Sequence, residues 1–261
     1  MAAGLLAAAL AACAHDPVGP VQQRLDALLP ADALLIGEQH DAPAHQQLQR
    51  ALVDALARRG QLAALVLEMA ERGTSTAPLA RDATPDQVQA ALRWNTAGWP
   101  WERYAPVVMA AVSQGVPVLG ANLPRAAMRE AMSDPALDRH LMPSALDRQR
   151  EAIRVGHCDL LPGERLMPMV RIQLARDASM AATVLEAAQP GKVVVLVAGG
   201  GHVLRDLGVP THLPASLRVR TVLAVAGPPS AEAALASDLV WQTPALAARD
   251  HCAELARQLK R

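Results

Sequence analysis

Apolar residues in this chain come in short dense runs separated by stretches of helical spacing. Ala33-Leu34-Leu35-Ile36 is such a run, ending at Gly37. Leu62 to Leu67, Val116 to Leu119 and the valine-rich Lys192 to Ala198 are built the same way. Runs that are apolar at successive positions, rather than at every second one, predict strands buried on both faces. Between them, Pro43 to Arg59 places Leu48, Leu52, Ala55 and Leu56 on one helical face, with Gly60 as its stop. Val21 to Leu29 predicts a shorter helix, Tyr104 to Gln114 another halted by Gly115, and Arg165 to Ala188 a long one. At Thr84-Pro85-Asp86-Gln87, Thr84 can cap a helix whose first turn suits Pro85. Ala126 to Arg154 is helical but interrupted by Pro135 and Pro143, and Arg218 to Val225 and Leu239 to Trp241 are weaker strand candidates. Strands alternating with helices predict an α/β fold: a mainly parallel central sheet, helices on both faces, and a helical lid or subdomain from about residue 126 to 190. No repeat or internal boundary appears, so residues 31–261 are expected to form a single domain.

The start of the chain follows a different pattern. Residues 1–12 are apolar and small, and Leu10-Ala11-Ala12 leads directly into Cys13. The run is too short to span a bilayer, which needs about 20 residues. It has the length of a signal-peptide core, and Leu10-Ala11-Ala12-Cys13 matches the lipobox at which a bacterial lipoprotein is cleaved and lipidated on its cysteine. No Lys or Arg precedes the run, which departs from the usual signal. His15, Asp16, Pro17, Gly19 and Pro20 then break the pattern abruptly, as a tether would. The expectation is a signal peptide at 1–12, a lipidated Cys13 with a tether to residue 30, and the domain behind it. Ala14 after the cysteine, rather than Asp, favours an outer-membrane destination facing the periplasm.

Charge narrows the picture. Lys+Arg and Asp+Glu number 25 each, so there is no basic surplus that would point to nucleic acid. Four strands end in polar or reactive residues: Gly37-Glu38-Gln39-His40, then Glu68, then Gly120-Ala121-Asn122 with Arg125 nearby, then Gly199-Gly200-Gly201-His202. Ligands of parallel α/β sheets bind beyond the carboxyl ends of the strands. One cleft could therefore gather Glu38, His40, Glu68, Asn122 and His202. Two imidazoles and two carboxylates can hold a divalent metal, or serve as general acid and base. The triple glycine lacks the Lys-Ser/Thr of a phosphate-binding loop, which argues against nucleotide. The chain has no Phe, and Trp94, Trp99, Trp101 and Tyr104 are four of its five aromatic residues. Flat aromatic faces suit a flat apolar ligand, and a tyrosine phenolate can ligate ferric haem iron.

The segments Gly37-Glu38-Gln39-His40, Leu67-Glu68-Met69, Trp99 to Pro106, Asn122-Leu123-Pro124-Arg125, His157-Cys158, Arg176 to Ala181 and Gly201-His202 together resemble the ChaN-type haem-binding lipoproteins, over about Leu34 to Cys252. The resemblance implies an α/β fold, a lipid anchor, a role in iron acquisition and haems bound face to face across a homodimer, with an outer-membrane haem receptor as a further partner. It makes Tyr104 the expected iron ligand and Trp99, Asn122, Arg125, His40 and His202 the surrounding haem-binding residues, with Arg125 pairing a propionate. The same superfamily is similar to the Tiki metalloproteases and erythromycin esterases, which use paired Gly-x-x-His motifs and a glutamate. Gly37–His40 and Gly199–His202 match them. A metal-dependent hydrolase using Glu38, His40, Glu68 and His202 therefore stands as the alternative, and a structural lipoprotein with a decayed site as a third. With Cys13 lipidated, Cys158 and Cys252 are the remaining thiols in an oxidising compartment and are expected to form a disulfide.

Overall fold

The computed structural model describes residues 21–258. The expected signal peptide, Cys13 and most of the tether lie outside them. Three buried runs follow the first helix α1 (Val21–Leu28) as β1 (Ala33–Glu38), β2 (Leu62–Glu71) and β3 (Val118–Asn122). The helix α2 (Pro43–Arg58) joins β1 to β2, and α3 (Pro85–Ala91) and α4 (Trp101–Ser113) join β2 to β3. Thr84 caps α3 as its sequence suggests, accepting from the Gln87 backbone N–H while the Gln87 side chain returns to the Thr84 N–H. A helical stretch follows: α5 (Met128–Ser133), α6 (Pro143–Gly156) and α7 (Gly163–Ala187). The chain then forms β4 (Val193–Gly199), β5 (Val219–Ala226), α8 (Ala231–Ala236), β6 (Leu239–Thr243) and α9 (His251–Gln258). Among the described residues no helix is long and apolar enough to cross a membrane.

The strands form one sheet of six in the order β3-β2-β4-β1-β5-β6, and every pair is parallel. The two weaker strand candidates are therefore real strands, β5 inside the sheet beside β1 and β6 at its edge. Alternation within the buried runs divides the core. Leu34, Ile36, Leu65 and Leu67 face α1 to α4, whereas Ala33, Leu35, Val66 and Leu196 face Met180, Ala181 and Val184 of α7. Removing both faces from water is what allows strands of unbroken hydrophobicity.

Only part of α7 lies on the sheet. Its earlier residues Val170 and Leu174 pack with Leu141 and Ala145 at the start of α6 and with Leu207 in a separate cluster. Asp177 contacts the loop after β4, so the first half of α7 projects past the carboxyl edge of the sheet. At 1.5 Å per residue it reaches about 20 Å beyond Asp177. The expected helical insertion is thus a hairpin of α6 and α7 standing over the carboxyl rim. Its turn is tied to the C-terminal segment by the expected disulfide, Cys158–Cys252, with Cα atoms 5.5 Å apart.

Candidate functional site at the carboxyl rim

Parallel pairing brings the reactive strand ends to one place, because Glu38 at the end of β1 lies in register with Gly199 at the end of β4. Glu38 is buried, and both of its oxygens are fully engaged. Oε1 accepts from the Tyr104 hydroxyl at 2.6 Å and from His40 Nδ1 at 2.8 Å; Oε2 accepts from the side-chain amides of Gln46 and Gln49. The two glutamines sit three residues apart on α2, so one helical face delivers both donors. Four donors on one buried carboxyl group fix its position before any ligand arrives.

His40 is held by that contact through Nδ1, and its side chain keeps 38% of its surface exposed. Its Nε2 side faces Gly199 and Glu68, with Nε2 4.0 Å from Glu68 Oε2. A Cβ on residue 199 would sit 2.9 Å from Nε2, so this close approach requires glycine. Trp99 meets the His40 ring edge-on at 4.7 Å between centroids. Burial works against the charged ring, but the Glu38 hydrogen bond and the Glu68 charge outweigh it and raise the His40 pKa above its ordinary value.

A second buried set adjoins the first. Glu68 Oε2 accepts from the Gly199 backbone N–H at 2.7 Å, and its Oε1 lies 3.4 Å from His202 Nε2. His202 Nδ1 is 2.5 Å from Asp177 Oδ1. With a carboxylate at each nitrogen, the ring fits as an imidazolium. Burial disfavours its charge, yet Glu68 and Asp177 raise its pKa to about 10. Glu68 is likewise penalised by burial but is brought down to about 2, chiefly by the His202 charge and hydrogen bond. Asp177 is pushed up to about 6 by burial, which His202 only partly offsets. The second oxygen of Asp177, Oδ2, is buried without a hydrogen-bond partner.

The structure therefore brings together Glu38, His40, Glu68, His202, Trp99 and Tyr104, and adds Asp177, Gln46 and Gln49. Asn122 and Arg125 stand apart at the β3 edge, where the Arg125 backbone N–H binds Glu71 Oε1 at 3.1 Å. Two expectations need correction. Tyr104 has 0% exposure and gives its hydroxyl to Glu38, so it presents no open oxygen to an iron. Burial, then the Glu38 charge, also raise its pKa well above the usual phenol range, against the phenolate form. The metal set of Glu38, His40, Glu68 and His202 does not assemble either. Among the described residues no three His, Cys, Asp or Glu side chains are grouped to hold a metal ion. The physical reason is local: Glu38 has spent both oxygens on four donors, and His202 is turned between two carboxylates.

The aromatic segment is a packed cluster rather than an open stack. Trp94 lies 4.9 Å from Trp101 and 5.7 Å from Tyr104 between centroids, and its indole N–H binds the Trp99 carbonyl. Trp94 and Trp99 retain partial exposure.

Residues 24–213 match the family described as haem-binding uptake, Tiki superfamily, ChaN. The chain belongs to this family. Among solved structures it is similar to ChaN of Campylobacter jejuni, described as showing cofacial haem binding: TM-score 0.71, 24% identity, 84% of this chain and 90% of that one. It also shares its fold with the type III effector HopBA1, at TM-score 0.51 and 16% identity over 87% of this chain and 94% of that one. No curated protein matches it. The expected α/β architecture is that of the ChaN family, and membership supports haem as the ligand class.

Proposed function

We propose that this ChaN-family protein binds haem at the open side of His40 and Trp99, as a lipid-anchored protein of the bacterial cell envelope that serves haem or iron uptake. The half-exposed His40 imidazole carries the reading. Imidazole is a common axial ligand of haem iron, and here Glu38 fixes the ring through Nδ1 while Gly199 keeps side chains away from Nε2. Trp99 offers an apolar flank, and the exposed Arg103, whose guanidinium reaches the His40 carbonyl, stands near enough to attract a propionate. Haem bound there would supply the iron whose uptake the family serves. Cys13 would anchor the chain by its lipid, two copies would meet at the haem face, and an outer-membrane receptor would deliver the cargo.

Titration with ferric haem, followed through the Soret band, tests the site. The wild type should shift the band on binding. His40→Ala should lose at least tenfold in affinity and change the spectrum, and Tyr104→Phe should leave both nearly unchanged. No Soret shift in the wild type ends the haem reading; loss in Tyr104→Phe with retention in His40→Ala ends the ligand assignment. Detergent partitioning of the Cys13→Ser variant tests the anchor.

The two buried acid–base sets favour one second reading, a hydrolase. In it His40 moves protons at Nε2 and the positive His202 stabilises negative charge developing beside it. Turnover of chromogenic esters, abolished in His40→Ala, is the result it requires.

A further inference from the structure

The C-terminal segment beyond β6 lies past the family match, which ends at residue 213. It leaves the sheet at Thr243, whose hydroxyl is 3.0 Å from His45 Nε2, while His45 Nδ1 accepts from the Gln39 backbone N–H at 2.9 Å. The segment thus starts against the same β1–α2 turn that carries Glu38 and His40. Further on, Arg249 lies 3.8 Å from Asp41 and 2.9 Å from Glu254. Between the turn and the segment is a cavity of about 410 Å3, lined by Gln39, Asp41, Leu246, Arg249, His251 and Glu254 among others. Gln39 and Asp41 are the immediate neighbours of His40. The segment then reaches Cys252, bonded to Cys158 at the outer turn of the α6–α7 hairpin.

These contacts describe an arch. One foot stands on the β1–α2 turn, at the neighbours of His40, and the other on the hairpin turn. The foot on the β1–α2 turn is held by one ion pair of long reach between exposed partners, and such surface pairs contribute little to stability. The other foot is covalent. We propose that the segment from residue 244 to α9 is a disulfide-latched strap across the mouth of the His40 cleft, and that a dithiol reductant opens it. In that step the Cys158–Cys252 bond breaks, two electrons and two protons pass to the two sulfurs, and the dithiol becomes a disulfide. A flat ligand of haem size would enter faster past the released strap; this last clause rests on the haem reading above.

Hydrogen exchange read by mass spectrometry on the full chain separates the outcomes. The oxidised wild type is compared with the same protein reduced by dithiothreitol and with Cys252→Ser. Release should raise exchange several-fold both in residues 244–258 and in residues 39–42, where the Ala42 N–H binds the Gln39 carbonyl. A rise confined to 244–258 overturns the strap, because the segment would then not rest on the turn. No rise in either region overturns it too, because the disulfide would then not be the latch. If Cys252→Ser fails to fold, reduction of the folded wild type still decides. A second arm measures the association rate of ferric haem, expected to rise at least threefold on reduction. Absence of any haem binding in both states would count against the haem reading alone and leave the exchange result standing.

Discussion

At the scale of single residues, the carboxyl rim is a set of charges whose states are fixed by their neighbours. His202 shows this most directly. Its pKa is raised from 6.5 to about 10 against burial by Glu68 and Asp177. Above pH 6.5 the folded ring keeps a proton that the unfolded chain has released, so its contribution is complete below that value and is lost as pH rises toward 10. Denaturant midpoints measured from pH 6.5 to 9.5 should fall, and the fall should be markedly smaller in His202→Gln. Gly199→Ala tests the close approach. A Cβ 2.9 Å from His40 Nε2 forces that side chain to move, so the raised His40 pKa, read by NMR titration, should drop toward the ordinary value of 6.5. An unchanged titration would show that the ring does not need the space. Glu38, His40, Glu68 and His202 were legible in the sequence because each lies within a few residues of the end of an apolar run. Gln46, Gln49 and Asp177 were not, since a polar residue on a helix reveals its role only once the rotation of that helix is known. The spacing of the two glutamines was the available signal. Tyr104, the iron ligand that the family resemblance implies, shares the spacing of one buried stripe with Val107, Val108 and Ala111.

At the scale of elements, apolar runs flanked by glycines located the strands, and their lack of alternation correctly implied two covered faces. Boundaries were less visible. β2 continues to Glu71 because Asn122 of β3 pairs with it and the Thr74 N–H binds the Glu71 carbonyl, and α4 begins at Trp101 because that side chain is buried against Trp94. The helical insertion was visible as a region, but not its attachment to the rest of the fold. One attachment is a stack of His140 and His212, with ring centroids 3.6 Å apart and planes within 4°. It joins the segment before α6 to the loop after β4, helped by His140 Nε2 against the Thr211 hydroxyl at 2.9 Å. Burial, then the His140 ring, lower the His212 pKa to about 4 from 6.5. The unfolded chain therefore takes up a proton first on acidification, and this contribution is lost as pH falls from 6.5 toward 4. Protection of the amides in α5 and α6, taken relative to the exchange rate of an unstructured chain at the same pH, should fall at pH 5 relative to pH 7, and His212→Gln should remove most of that difference. Equal protection at both values would mean that the stack does not hold the insertion.

At the scale of the whole molecule, one parallel sheet places every strand's carboxyl end on the same rim, which explains why residues as distant as Glu38, Glu68 and His202 meet. That convergence could be read from sequence once the alternation of strands and helices was recognised. The strand order could not, and it is the order that puts Asn122 and Arg125 at the β3 edge, with β2 and β4 between them and β1. The disulfide joins positions 94 residues apart, and in the chain-entropy account a loop of that size adds up to about 4–5 kcal/mol. Reducing the folded protein should therefore lower its denaturant midpoint substantially, and an unchanged midpoint would show that the loop is restrained by other means. The same bond alters how the molecule answers a pull. β6 is an edge strand with a single neighbour, β5, and would ordinarily be the first to peel from the sheet when the C-terminus is drawn away. Because Cys252 is fastened to Cys158, tension applied beyond α9 passes into the α6–α7 hairpin and bypasses β6. This edge strand is mechanically sheltered for as long as the two sulfurs stay joined.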